Sequence, residues 1–330
     1  MDDAFVAYMI LWAAIAAYFL LASIDFGAGF YHLLSLRQPG TEPVRRAIHR
    51  YVNPRWEVTN VFLVLVVVGA AAFFPGLVGI LGTVLLIPVS LVAILFAVRG
   101  AFLVFEYYGG EGRLFAVVYS VTGLLILPML SVVLTLIVDN PVTVLGGVPS
   151  FDVLSPLGHP LTYLTALLVF AGQILLSGVV LLHYDARPAD RELYRFPIFA
   201  SAIGVVILGL LELSQLRSQA AYAYATMVSL APLMVVTGAL FALAVYLIWR
   251  DRRAQLRYAF ALIVAVDVLA LLTFAYAHYP YLIYPDVTAA AALTNATMLP
   301  LLLIALGAGL LVVVPSLAYL NLLFRSRAET

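Results

Sequence analysis

The sequence predicts an all-α integral membrane protein, and three observations carry that reading. The chain of 330 residues is 65% hydrophobic and 10% charged, against roughly 45–50% apolar and about 25% charged for an average globular domain. Its apolar residues gather into nine runs, each near the roughly 20 residues a helix needs to cross a bilayer core. Its seventeen basic residues, all arginine, alternate with those runs.

In order the runs are Phe5–Leu36, Glu57–Pro75, Leu77–Phe105, Leu114–Val138, Leu161–Tyr184, Phe196–Leu216, Ser229–Trp249, Tyr258–Tyr279 and Leu299–Phe324. The first is overlong, so its last turns are expected outside the hydrocarbon. The acidic start, Met1-Asp2-Asp3-Ala4, is unlike the basic start of a secretory signal, so the first run reads as a retained spanning helix. Arginines follow the first run (Arg37, Arg45, Arg46, Arg50, Arg55), the third (Arg113), the fifth (Arg187, Arg191, Arg195), the seventh (Arg250, Arg252, Arg253, Arg257) and the ninth (Arg325, Arg327). Fifteen thus share one side, the other side has only Arg217, and Arg99 lies within the third run. The positive-inside rule then places the N-terminus outside and the C-terminus in the cytoplasm. The first and fifth runs both start outside. The expected architecture is one transmembrane domain of two four-helix units, residues 1–138 and 139–279, followed by an outer loop and ninth helix in 280–330.

Several chemistries are excluded. The chain has no cysteine, which removes disulfides, thiolate metal sites and cysteine nucleophiles. A formal net charge of zero gives no reason to expect nucleic acid. Phosphate-binding glycine loops, nucleophile elbows and zinc-ligand spacings are absent. The five histidines, His32, His49, His159, His183 and His278, stand at helix ends or in loops. No mid-membrane histidine pair is expected to hold a haem, and His32 and His183 read as interfacial.

Polar residues inside the runs are therefore the informative ones, because an ionisable group in the bilayer is costly unless hydrated, paired or protonated. Asp25 lies two-thirds along the first run, followed by Gly27 and Gly29, which let another backbone approach. It has two readings: it lines a proton path, or it braces the following loop or pairs with an arginine. Glu57 opens the second run, where the helix dipole alone favours an acid. Arg99 and Glu106 are seven residues apart and share a helix face, either as parts of a structural ion-pair arrangement or of a charge path. Glu212 lies toward an outer helix end, Asp267 near a helix middle, and Gln173 reads as a tie between helices. The loop Asp139–Pro160 reads as an ordered external connection. The tyrosines of the loop His278–Pro300 fit an interfacial aromatic belt.

Some of these residues carry a resemblance. Asp25-Phe26-Gly27-Ala28-Gly29, Pro54-Arg55-Trp56-Glu57, Arg99 with Phe105-Glu106-Tyr107, Gly147-Val148-Pro149 with Leu154-Ser155-Pro156, Tyr279-Pro280-Tyr281-Leu282, Pro285-Asp286-Val287-Thr288, and Pro315 with Tyr319 occur in that order across nearly the whole chain. The sequence in this respect resembles subunit II of the cytochrome bd quinol oxidases. It departs from that pattern at Val58, Thr59, Asn60 and Phe62, and in a longer Arg99–Glu106 spacing. The resemblance implies a subunit without catalytic or metal-ligating residues of its own, in a prokaryotic cell membrane. It would pair with a haem-bearing subunit I that carries haem b and haem d, in a complex that oxidises quinol and reduces dioxygen to water. It further implies that Glu57 and Glu106 serve a cytoplasmic proton route, with Asp25 near its entrance. A structural quinone in this subunit and small accessory subunits are compatible with it, as are membrane lipid contacts. Two other readings stand beside it: a secondary transporter using Asp267 and Asp25, and a scaffold for a haem protein that carries no protons.

Overall fold

The computed structural model describes residues 2–326 apart from 39, 52–55, 109–111, 139–141, 146–147, 152–157, 185–190 and 295–296. Thirteen helices are described. They are α1 (Asp3–Ser35), α2 (Glu42–Tyr51), α3 (Trp56–Phe73), α4 (Pro75–Val84), α5 (Leu86–Tyr108), α6 (Arg113–Val138), α7 (Pro160–Tyr184), α8 (Arg191–Gln219), α9 (Ala221–Ser229), α10 (Ala231–Arg250), α11 (Arg253–His278), α12 (Ala289–Ala292) and α13 (Met298–Ser326). Two short antiparallel hairpins lie in the loops, β1 (Val142–Leu145) with β2 (Val148–Phe151) and β3 (Tyr281–Ile283) with β4 (Val287–Thr288). Among the described residues seven helices are long and apolar enough to cross a membrane, and two shorter apolar ones, Val58–Phe73 and Met298–Val312, fall within the second and ninth runs.

The largest difference from the run pattern is in the third run, which divides at Leu85 into α4 and α5. The cause is Pro88. A proline has no N–H to give and its ring crowds the carbonyl four residues back, here that of Val84, where α4 stops. Pro75, by contrast, sits at the first position of α4, where a missing N–H costs nothing. The arginine-rich loop after α1 also holds structure. Helix α2 lays Val44, Ala47 and Ile48, at i, i+3 and i+4, against the bundle and turns Glu42 and Arg46 outward. Thr41 Oγ1 secures the turn before it, donating to the carbonyls of Ser35 (2.5 Å) and Gln38 (2.7 Å).

Helix α1 is the axis of the bundle. Its 33 residues correspond to about 50 Å of helix, more than the roughly 30 Å hydrocarbon core. It packs on α3, α6, α7 and α11, while α5 packs on α6, α7 on α8, and α10 on α11. Glycines set its closest approaches. A Cβ on Gly27 would overlap the Gln173 carbonyl oxygen of α7, and one on Gly29 would lie 2.8 Å from the Ser120 carbonyl oxygen of α6. On the facing helix Gly178 leaves room for the phenol of Tyr31, which donates to the Ile174 carbonyl at 3.0 Å. Ser177 Oγ donates to the Ile24 carbonyl at 3.1 Å across the same seam.

Gly27→Ala is expected to force α1 and α7 apart, at about 1–3 kcal/mol or more of overpacking cost, and to lower the thermal midpoint of the purified protein. Gly209→Ala, with nothing within 4 Å of the added methyl, is expected to leave the midpoint unchanged or raise it. Equal midpoints for the two variants would contradict the glycine-set seam.

Candidate functional site

Asp25 and Arg99 meet inside the bundle. Asp25 stands ten residues before the end of α1 at Ser35, or about 15 Å along the axis. Arg99 comes from the middle of α5. Arg99 Nη2 donates to Asp25 Oδ1 at 2.9 Å, and the two side chains are 6% and 2% exposed. Burying two charges costs several kcal/mol per ion unless further hydrogen bonds satisfy them. Here α6 supplies those bonds: Arg99 Nη1 donates to the Tyr119 carbonyl (3.2 Å) and Nη2 to the Tyr119 hydroxyl (2.8 Å). The guanidinium carbon also lies 4.1 Å from the Tyr119 ring centroid and 4.8 Å from that of Phe26, so two aromatic faces sandwich it. Gly123 makes the space, since a Cβ there would overlap Arg99 Nη1. Each member of Asp25-Phe26-Gly27-Ala28-Gly29 thus has a task. Asp25 pairs, Phe26 covers the cation, Gly27 admits α7, Gly29 admits α6, and Ala28 fills the core between them.

A second tie completes the site. Pro128, inside α6, cannot donate to the Leu124 carbonyl one turn before it. Gln173 of α7 takes that place, with Nε2 donating to Leu124 O at 2.9 Å. Leu124 adjoins Gly123, and the Gln173 backbone is what Gly27 approaches. One helix tie read from the sequence therefore has a specific cause in a proline one helix away.

The structure departs from the reading of His32 as interfacial. His32 is 1% exposed, on the α1 face of Asp25 and Gly29, and its Nδ1 lies 3.2 Å from Ser120 Oγ. Among the described residues the other fully buried histidine, His278, is at the opposite end of the bundle, with Nδ1 2.7 Å from the Tyr222 hydroxyl. These two rings face different helices, so they offer no pair for a haem. Among the described residues no group of three or more His, Asp or Glu could hold a metal ion.

Glu57 is the second residue of α3 and Glu106 lies two residues before the end of α5. Their backbones place both at the arginine-rich end, the end toward which Asp25 lies, while their side chains fall outside the described residues. Glu212 of α8 accepts a hydrogen bond from Thr165 Oγ1 at 2.7 Å, away from the pair. Asp267 stands mid-helix in α11, and the pair does not include it. The opposite end closes with aromatic packing that periodicity alone did not reveal. Tyr222 stacks on Tyr284 at 4.0 Å, Tyr281 meets both edge-on, and Tyr8 donates to the Ala275 carbonyl at 2.9 Å. Burial, with neighbouring phenols, pushes the Tyr222 pKa up, so it stays a neutral partner for His278. The tyrosines expected in a lipid belt thus largely pack on one another.

Asp25→Asn is expected to cost about 3–5 kcal/mol, because it leaves a buried guanidinium without its counter-charge. Asp25→Asn combined with Arg99→Gln should cost clearly less than the two single changes added together. Gln173→Leu should cost about 1–3 kcal/mol through the orphaned Leu124 carbonyl. Thermal unfolding of purified protein measures all of these, and strict additivity at Asp25 and Arg99 would contradict the pair.

Comparison with known proteins places this geometry. The family model for cytochrome bd terminal oxidase subunit II matches residues 4–324. A Bacillus subtilis (strain 168) protein that carries the name cytochrome bd menaquinol oxidase subunit II is 28% identical over 302 residues, covering 89% of this chain and 87% of that one. The solved bd oxidase of Geobacillus thermodenitrificans contains a chain with 34% identity and a TM-score of 0.84, covering 98% of this chain and 99% of its own. No support for a transporter built on Asp267 and Asp25 comes from these comparisons. With the match running from the first helix into the last, the chain belongs to the cytochrome bd terminal oxidase subunit II family, as a multi-pass cell-membrane subunit of a quinol-oxidising terminal oxidase.

Proposed function

We propose that this chain is a haem-free subunit II that pairs with a haem-bearing subunit I and contributes Glu57, Glu106 and Asp25 to proton uptake from the cytoplasm. Reduction of dioxygen to water consumes protons as well as the electrons delivered by quinol. Haem b and haem d, carried by subunit I, supply oxygen binding and electron transfer. This chain's share is to hold carboxyl groups where protons enter. The observation that carries the reading is the Asp25–Arg99 pair, buried toward the arginine-rich end. Glu106 lies seven residues, two turns, beyond Arg99 on α5. Glu57 opens α3, which packs on α1. Two acids thus stand at helix ends on the side toward which the buried pair lies.

Nine spans with the N-terminus outside belong to the same proposal. The seven long helices and the two shorter apolar ones coincide with the nine runs, and fifteen of seventeen arginines fall on one side of that count. The division into two four-helix units is supported by packing: α1 on α3 matches α7 on α8, α5 on α6 matches α10 on α11, and α1 on α6 matches α7 on α11.

Glu57→Gln and Glu106→Gln in the assembled oxidase are expected to slow quinol-driven oxygen reduction at least about tenfold, as loss of a proton-transfer group does, with the haem absorption spectrum unchanged. Wild-type turnover in both variants would overturn the proton role and leave a scaffold that carries no protons. A colourless chain that purifies alone would overturn the pairing.

A further inference from the structure

The described arginines include two kinds. Arg99, Arg45, Arg191 and Arg195 are engaged with carboxylates. At the turn between α10 and α11 the one acid, Asp251, is taken from within. Its Oδ2 lies 2.6 Å from Arg191 Nη1 and 3.8 Å from Arg195 Nη1, both of α8. Asp251 also ends α10 in the left-handed conformation, φ 49°, so its place is fixed from both sides. Arg250, Arg252 and Arg257 at the same turn are exposed, and no described carboxylate forms a salt bridge with them. The turn therefore shows uncompensated positive charge.

Two of these cations are already ordered by aromatic rings. Arg250 donates from Nη1 to the Tyr246 hydroxyl at 3.3 Å, and its guanidinium carbon lies 5.7 Å from that ring's centroid. Arg257 donates from Nη2 to the Tyr258 hydroxyl at 2.7 Å, with its guanidinium carbon 4.6 Å from the ring centroid. Tyr246 stacks in turn on Trp249 at 6.3 Å, and Trp249 is 63% exposed. The rings end an exposed stripe of α10, Val235, Ala239, Ala242, Tyr246 and Trp249, at the spacing of one helix face. A hydrocarbon-facing stripe that ends in interfacial aromatics and then in unpaired guanidiniums has the layout of an acyl chain followed by an anionic headgroup.

We propose that the α10–α11 turn is a binding site for an anionic phospholipid. Arg250 and Arg257, with Arg252 beside them, meet the headgroup phosphate, and the acyl chains lie along the exposed stripe of α10. The apolar stripe is what commits the site to a lipid rather than to a free anion. Because the guanidiniums are held over tyrosines before the lipid arrives, less freedom is lost on binding.

The test uses the intact two-subunit oxidase in mild detergent, stripped of lipid and titrated with phosphatidylglycerol or phosphatidylcholine, with bound lipid followed by native mass spectrometry. The double variant Arg250→Gln/Arg257→Gln is expected to hold phosphatidylglycerol about 10- to 30-fold more weakly, the effect of two juxtamembrane charges. Weak phosphatidylcholine binding and quinol oxidation should not change, and Arg217→Gln, at the other end of the protein, should bind like wild type. Should the double variant fail to assemble, Tyr246→Phe/Tyr258→Phe keeps the charges and the ring faces, removes the two hydroxyl hydrogen bonds that order the guanidiniums, and is expected to weaken binding by a smaller factor. Unchanged phosphatidylglycerol binding in the variant that assembles, or equally tight phosphatidylcholine binding, would overturn the proposal. Displacement of phosphatidylglycerol by millimolar inorganic phosphate would mark a free-anion site instead. A cross-link from this turn to the partner subunit would show that protein covers it.

Discussion

The buried ion pair between Asp25 and Arg99 is the interaction on which the rest of the bundle depends. A guanidinium at 6% exposure inside a membrane protein is tolerable only if its charge and its donors are met. Every helix around it has a residue shaped for that purpose. Helix α1 gives the carboxylate and the Phe26 face, and α6 gives two oxygens of Tyr119, a second ring face and, at Gly123, an absent side chain. Helix α7 never touches the cation through these contacts, yet it is drawn into the same circuit. Gln173 satisfies the carbonyl that Pro128 releases beside Gly123, and its own backbone lies against Gly27, two residues from Asp25. The circuit therefore closes through four helices, α1, α5, α6 and α7.

That coupling explains why the irregular residues fall where they do. Pro128 and Gly123 in α6, and Gly27 and Gly29 in α1, would each weaken a soluble helix. In a bilayer a freed carbonyl needs a partner and backbones pack best through small residues. Gln173 and the close approach of α1 to α6 and α7 meet those needs, so these residues define the seam. Pro88 has no such compensation described, and there the run divides into two helices.

The membrane class and the apolar helices were legible because they rest on composition and on spacing along one chain. Asp25, Arg99 and Gln173 were legible as costly polar residues, for the same reason that makes them informative in any membrane helix. Their pairings were not. The separation of 74 residues between Asp25 and Arg99 leaves no local trace, and the helix-face argument joined Arg99 to Glu106 because those two share a helix. His32 was misplaced because position near a helix end implies an interface only if no neighbour extends past it. Here α2 and the start of α6 cover that end. The break at Leu85 could have been read from Pro88, whose effect falls four residues earlier, but hydropathy alone runs straight through it. The tyrosine cap required knowing that α9 brings Tyr222 to the loop that follows α11, which no periodicity records.

A net charge of zero conceals how this protein uses charge. Acids and arginines are equal in number, but they are not evenly matched in space. Asp25 and Asp251 are each committed to arginines within the fold, one deep in the bundle and one at its edge. Each such pair removes an acid and an arginine together, so the surface charge is set by where the remaining residues lie and not by their number. Exposed arginines such as Arg250, Arg252 and Arg257 stand at a helix turn, where hydration makes an unpaired cation cheap and where it biases the orientation of a chain across the bilayer. Pairing Asp25 with Arg99 makes a charge site inside the bundle possible, and the clustering of arginines in the turns makes the surface on that side positive. A buried charge pair and a cationic rim toward the same end are then two results of where the charges stand along the helices rather than of how many there are.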